Sequence, residues 1–180
     1  SKRPSPPASV TVTTQKGVTI SINYSQPSVK GRVIGKEIAP FGELWRTGAN
    51  EATVFEVNKE VTIAGKKVKA GKYGLFTIPG EKEWTVIINK KSTLWGTDGY
   101  SQADDVLRLV TASGKSKAFT EKMTFAISQA GIVSLAWGDV QVNLARQAYE
   151  RALSLDAKQP NLRPKIERLR PVLDMTQGKP

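Results

Sequence analysis

Apolar and polar residues alternate in short, β-branched runs along most of the chain. Val10-Thr11-Val12-Thr13-Thr14 and Val18-Thr19-Ile20-Ser21-Ile22-Asn23-Tyr24 each place their apolar members on one face. That period of two is the side-chain period of a strand, and Gln15-Lys16-Gly17 between the runs makes them a hairpin. Residues 25–43 break the pattern with Pro, Gly and Lys. They read as a long connection holding one short strand at 31–34. Residues 52–57 resume the alternation, and 61–68 form a tight hairpin with Gly65 in its turn. Strands follow at 73–78 and 84–89, separated by Pro79-Gly80-Glu81-Lys82. Later runs predict strands at 105–112, 122–128, 131–137 and 140–144, with turns at Gln129-Ala130-Gly131 and Gly138-Asp139. About ten short strands punctuated by glycine predict an all-β fold, an antiparallel β-sandwich of jelly-roll-like or barrel-like form.

The period changes after Leu144. Ala145, Ala148, Tyr149, Ala152, Leu153 and Leu155 fall at helical spacing, which predicts an amphipathic helix ended by Pro160. A second short helix starts at Pro164 and breaks at Pro171. The expected organisation is a flexible segment at 1–8, a β-domain at 9–144, a short C-terminal α-helical tail at 145–175 and a frayed end at 176–180.

Composition narrows the chemistry. The chain of 180 residues has no Cys and no His, so disulfides, thiol catalysis and the usual zinc, copper and iron ligands are out. The expected cofactor set is empty. Formal net charge is +11, which invites an acidic partner. The basic residues are scattered, however, with adjacent pairs only at Lys2-Arg3, Lys66-Lys67 and Lys90-Lys91. No nucleic-acid-binding motif accompanies them, so no nucleic acid partner is expected. No run approaches the ~20 apolar residues of a membrane span. The Pro/Ser-rich opening suits a mature exported protein whose signal peptide has been removed.

Three segments together resemble a known bacterial family. They are Trp45-Arg46-Thr47-Gly48-Ala49-Asn50-Glu51-Ala52-Thr53, Gly71-Lys72-Tyr73-Gly74-Leu75-Phe76-Thr77-Ile78-Pro79-Gly80, and Trp84 with Ile87-Ile88-Asn89. Residues 24–32, and Trp95-Gly96 followed by Asp105-Val106-Leu107-Arg108, look like it too. The resemblance is to the DUF2911 domain proteins, common in Bacteroidetes, and it covers roughly residues 6–144. It implies an exported protein, periplasmic, outer-membrane-associated or secreted. It implies no activity, because the family is of unknown function. The stretch 145–156 is similar to the second helix of a tetratricopeptide repeat, of which only half is present.

Residues 45–51 carry the densest chemistry in the chain. Arg46, Asn50 and Glu51 could form a polar pocket walled by Trp45, with Gly48 allowing a sharp turn. The bland alternative pairs Arg46 with Glu51 to pin a loop, and puts Trp45 in the core. Tyr73 and Trp95 sit beside turns, where a ring can meet a ligand. Asp98, Ser101, Asp104 and Asp105 cluster in one loop, but their spacing matches no calcium loop.

The expected function is a non-enzymatic ligand-binding module of the cell envelope, with a glycan or an envelope protein as partner. Its candidate site is Trp45, Arg46, Asn50, Glu51, Tyr73 and Trp95. One alternative is a scaffold that docks a partner through the helical tail. Another is a cryptic glycan hydrolase using Glu51 and a second carboxylate from Glu37, Glu43 or Glu56.

Overall fold

A computed structural model of the chain describes residues 3–143. The expected helical tail and frayed end lie outside the described residues. Nine strands occur in chain order: β1 (Pro7–Thr13), β2 (Thr19–Ser25), β3 (Thr53–Val57), β4 (Val61–Ile63), β5 (Lys66–Val68), β6 (Gly71–Ile78), β7 (Glu83–Asn89), β8 (Asp105–Ile127) and β9 (Val133–Asn143). Seven of them form one antiparallel sheet in the order β1-β2-β3-β6-β7-β8-β9, and β4 and β5 make a separate small hairpin. The fold is therefore all-β and antiparallel. Its main strands lie in a single curled sheet, the barrel-like alternative, and not in two stacked sheets.

The curl brings sequence-distant segments together. Just past β2, Met123 N donates to the Pro27 carbonyl and Val29 N to the Glu121 carbonyl. Gln26 Nε2 adds a bond to the Met123 carbonyl. Beneath this seam Tyr24 meets Phe125 edge-on at 4.8 Å, and its hydroxyl accepts from Phe125 N.

Alternation decides which side chains face inward. Ile20, Ile22 and Tyr24 of β2, Phe55 and Val57 of β3, Leu75 of β6, and Trp84, Val86 and Ile88 of β7 all join one buried cluster. β8 adds Leu107, Leu109, Met123 and Phe125, and β9 adds Val133, Leu135 and Trp137. β6 and β7 are buried on both faces, as expected for runs such as Leu75-Phe76 and Val86-Ile87-Ile88. Their outward residues Phe76 and Ile87 form a second small core with Ala52, roofed by Leu44, Leu94 and Tyr100. The roof comes from two long connections, residues 26–52 and 90–104.

Three strand expectations need correction. Residues 31–34 form no strand; Lys30, Gly31 and Gly35 all take positive φ there, and the only ladder contact is a bridge from Ile34 to Ile38. The runs at 105–112 and 122–128 belong to one 23-residue strand, β8, which pairs with β7 through its first half and β9 through its second. Likewise the described parts of the runs at 131–137 and 140–144 fall on one strand from Val133 on, β9, and Gly138-Asp139 is no turn. Gly138 has φ 59 and sits where the β8–β9 register shifts near Thr120. A glycine bulge inside a strand carries the same sequence mark as a hairpin turn. The other hairpins form as expected, with Ala64 and Gly65 both at positive φ in the β4–β5 turn.

Candidate functional site

The 45–53 segment is an excursion from the line of β3. Trp45 pairs with Thr77 of β6 through both backbone bonds, and Thr53 N returns to the Arg46 carbonyl. Residues between them loop outward and are pinned by hydroxyls. Thr53 Oγ1 donates to the Thr47 carbonyl at 2.7 Å, and the buried Thr47 and Thr77 hydroxyls bond to each other at 3.0 Å. The sharp backbone lies at Thr47 (φ 55) and Asn50 (φ 59), not at Gly48. Gly48 is required for space: a Cβ there would sit 2.9 Å from Thr53 Oγ1 and 3.2 Å from the Ser25 carbonyl.

Because side chains alternate, Trp45 points inward. Its ring stacks on Trp137 at 5.4 Å and meets Trp84 edge-on at 6.1 Å, while its Nε1 donates to the Gly48 carbonyl. Tyr73 also packs against the inner core, with its hydroxyl donated to the Lys69 carbonyl. Both rings are half-buried and pack within the domain. Asn50, Glu51 and Trp95 are instead brought together on the outside. Gly96 N donates to the Asn50 carbonyl, Ala52 N to the Leu94 carbonyl, and Glu51 bridges to Trp95. Trp95 is 56% exposed.

Arg46 and Glu51 do not pair. The Glu51 partner is Arg3, whose Nη1 lies 2.8 Å and 3.0 Å from the two carboxylate oxygens. That hydrogen bond holds the Glu51 carboxyl below its ordinary value. Both side chains are open to solvent, so the pair is readily exchanged for other partners. Asn50 secures the same N-terminal stretch through its Nδ2 bond to the Ser5 carbonyl, and β1 begins at Pro7, inside the segment expected to be flexible.

Beside this pair the outer face of β1–β3 is open. Ser9, Asn23 and Val54 lie side by side across three strands. Together with Ser25, Arg3 and Glu51 they line an open cleft of about 460 Å³. Its walls offer a hydroxyl, an amide, a carboxylate and a guanidinium, with a bare indole on the neighbouring loop. Arg3, Ser9 and Asn23 escaped sequence reasoning. Asn23 is one of several polar outward positions on an alternating strand, so nothing local singled it out, and Arg3 carried no mark either.

The loop bearing Trp95 is anchored at its base by a polar network. Asp105, only 8% exposed in its side chain, accepts from Arg108 Nε at 2.7 Å, Tyr100 Oη at 2.8 Å and Asn89 Nδ2 at 2.8 Å. Asn89 Oδ1 in turn accepts from Lys91 N, and Lys91 Nζ lies 3.4 Å from Asp104. The Asp104 and Asp105 carboxylates that suggested a calcium loop thus hold the chain's own donors. Among the described residues no group of three or more acidic side chains could hold a metal ion.

Burial raises the Tyr100 phenol, against the hydrogen bond it receives from Arg108. Bonds to Asp105 and Tyr100 raise Arg108. With the folded phenol raised, its contribution to stability is complete below the ordinary tyrosine range and is lost as pH climbs through the folded value. Tyr100→Phe is expected to cost about 1–2 kcal/mol, because it removes a donor to a nearly buried carboxylate. Urea denaturation checks this. An unchanged midpoint would show that the network does not hold the loop.

Residues 5–145 match the family described as Protein of unknown function (DUF2911). The chain belongs to the DUF2911 family. The family assignment takes in all nine strands and every residue of the outer cleft except Arg3. Comparison of the chain with curated proteins and with solved structures gave no match. The DUF2911 domain also contains, among its described residues, no helix long and apolar enough to cross a membrane.

Proposed function

We propose that this domain is a ligand-binding module of the bacterial envelope, taking a sugar-like ligand in the cleft over β1–β3. The observation that carries the reading is the exposed Trp95 ring held beside that polar cleft by the Glu51–Trp95 bridge. A large, rigid indole left in solvent has an apolar face to offer a pyranose, and the cleft supplies donors and acceptors for hydroxyls. Ser9, Asn23 and Glu51 fill those roles. Trp45, packed against Trp84 and Trp137, has no part in this reading.

Two rival readings fare less well. A scaffold would leave Arg46 and Glu51 buried and mutually satisfied, whereas they are apart and Glu51 is exposed. A hydrolase needs two carboxylates across the cleft; among the described residues lining it, Glu51 is the sole carboxylate. The envelope setting accords with the exported character that the family resemblance implies.

The test is a titration of the 180-residue chain with oligosaccharides, followed by tryptophan fluorescence and thermal unfolding. Binding is expected to raise the unfolding midpoint and to perturb Trp95. Trp95→Ala should weaken it about tenfold or more while leaving the unliganded midpoint within about 1 °C, since an exposed ring contributes little to folding. Equal binding by wild type and Trp95→Ala would remove the indole from the site.

A further inference from the structure

Arg46 follows Trp45 on an extended stretch, so its side chain takes the opposite, outer side of the sheet. There its Nη1 lies 2.7 Å from where a Cβ on Gly96 would stand. Gly96 has φ 62, and having no side chain lets the guanidinium nestle against the loop immediately after Trp95. Arg46 Nε is buried and has no hydrogen-bond partner among the described residues. Nor does any described carboxylate form a salt bridge with Arg46. Glu51, five residues on, is occupied by Arg3, and Asp98 on the same loop makes no ion pair with it. A half-buried cation without an anion is an unfavourable arrangement unless something else supplies the charge.

We infer that Arg46 is the receptor for an acidic group on the ligand, so that the ligand class is an acidic glycan built of uronate sugars. This rests on the Trp95 reading above and adds to it. A guanidinium presents a planar fork of donors that matches a carboxylate with two parallel bonds, which a lysine ammonium cannot reproduce. A uronate ring couples a carboxylate to a pyranose face within a single sugar unit. Trp95 carries the indole, and the Arg46 guanidinium from the 26–52 connection rests against the next residue, Gly96; an aromatic face and a cation beside it are the pair of features such a unit requires. The net positive charge of the chain favours the approach of such a polyanion.

The experiment compares an oligogalacturonate with the neutral oligogalactose of the same length, on the full chain, by calorimetry. Wild type is expected to bind the acidic oligomer about tenfold or more tighter than the neutral one. That preference should shrink as salt rises, because the Arg46 terminal nitrogens meet solvent. Arg46→Gln should bind both oligomers equally at the neutral level, and Arg46→Lys should recover only part of the preference. The salt series on wild type needs no variant to fold, and the thermal midpoint of Arg46→Gln reports whether that variant is native. Equal wild-type affinity for the two oligomers would overturn the assignment of Arg46 and leave the cleft reading standing. If Trp95→Ala binds both oligomers like wild type, the cleft reading falls, and the Arg46 variants alone decide the anion site. If inorganic sulfate at equal charge abolishes the preference as effectively as the oligomer, Arg46 is a general anion contact and the uronate assignment fails. Absence of binding by both oligomers overturns both.

Discussion

Gly74→Ala is expected to destabilise the protein by about 3 kcal/mol, a large penalty for a single methyl group. Gly74 lies on the outer face of β6, paired with Val54 on one side and Asn89 on the other. A Cβ there would be driven into the Lys91 carbonyl oxygen and the Phe76 ring. Its φ is not positive, so backbone strain plays no part and the effect is steric. The first belongs to the loop that roofs the small outer core, the second to that core itself. Relief requires lifting the 90–104 loop, which would uncover Phe76 and Ile87 and displace Trp95. Thermal unfolding should show a midpoint lower by roughly 6–12 °C, and amide exchange should quicken in residues 90–104 before the rest of the sheet. A variant as stable as wild type would mean that the loop rides above the sheet without close contact.

Trp45→Ala is expected to cost about 3–4 kcal/mol, within the range for aromatic truncations in a core. Its ring fills the space between Trp84 and Trp137, and both lie almost wholly out of solvent. The substitution removes a stacked and an edge-on aromatic contact at once and leaves the Gly48 carbonyl without its indole donor. Guanidinium denaturation measures the loss. The expected companion result is unchanged ligand affinity under conditions where the variant stays folded. A binding defect with normal stability would return Trp45 to the site and exchange the roles assigned here to Trp45 and Trp95.

These two residues show what could be read from the chain and what could not. Alternation within 10–14, 18–24, 52–57 and 84–89 was enough to find strands, since each run has one face to bury and only one register that buries it. It failed for β8 because residues 113–121, Ser113-Gly114-Lys115-Ser116-Lys117-Ala118-Phe119-Thr120-Glu121, are polar or small apart from an exposed Phe119. Nothing local distinguishes a solvent-facing strand from a loop there; the ladder to β9 holds it at both ends, at 113–115 and from Thr120 on. Ten short strands with turns suit a sandwich or a barrel alike, and reading 105–127 as one strand leaves a single curled sheet. The cluster at 45–51 was visible as chemistry, but its division was not. Which of Trp45 and Arg46 faces inward depends on the Trp45–Thr77 pairing, a contact across 32 positions of sequence. The partner of Glu51 was beyond reach for the same reason: Arg3 is 48 residues away, and only the β1–β2–β3 arrangement delivers it.

The seam between the segment after β2 and the far half of β8 also has a consequence in time. Gln26 and Met123 are separated by 97 positions, so the curl cannot close until nearly all of the domain has been synthesised. Pairings of such long range are slow to form, on the order of milliseconds to seconds. Through that interval the first hairpin waits with an unmatched edge, open to capture by another copy of itself. The rate at which residues 121–125 arrive, more than the strength of any contact made earlier, sets how long the chain remains vulnerable.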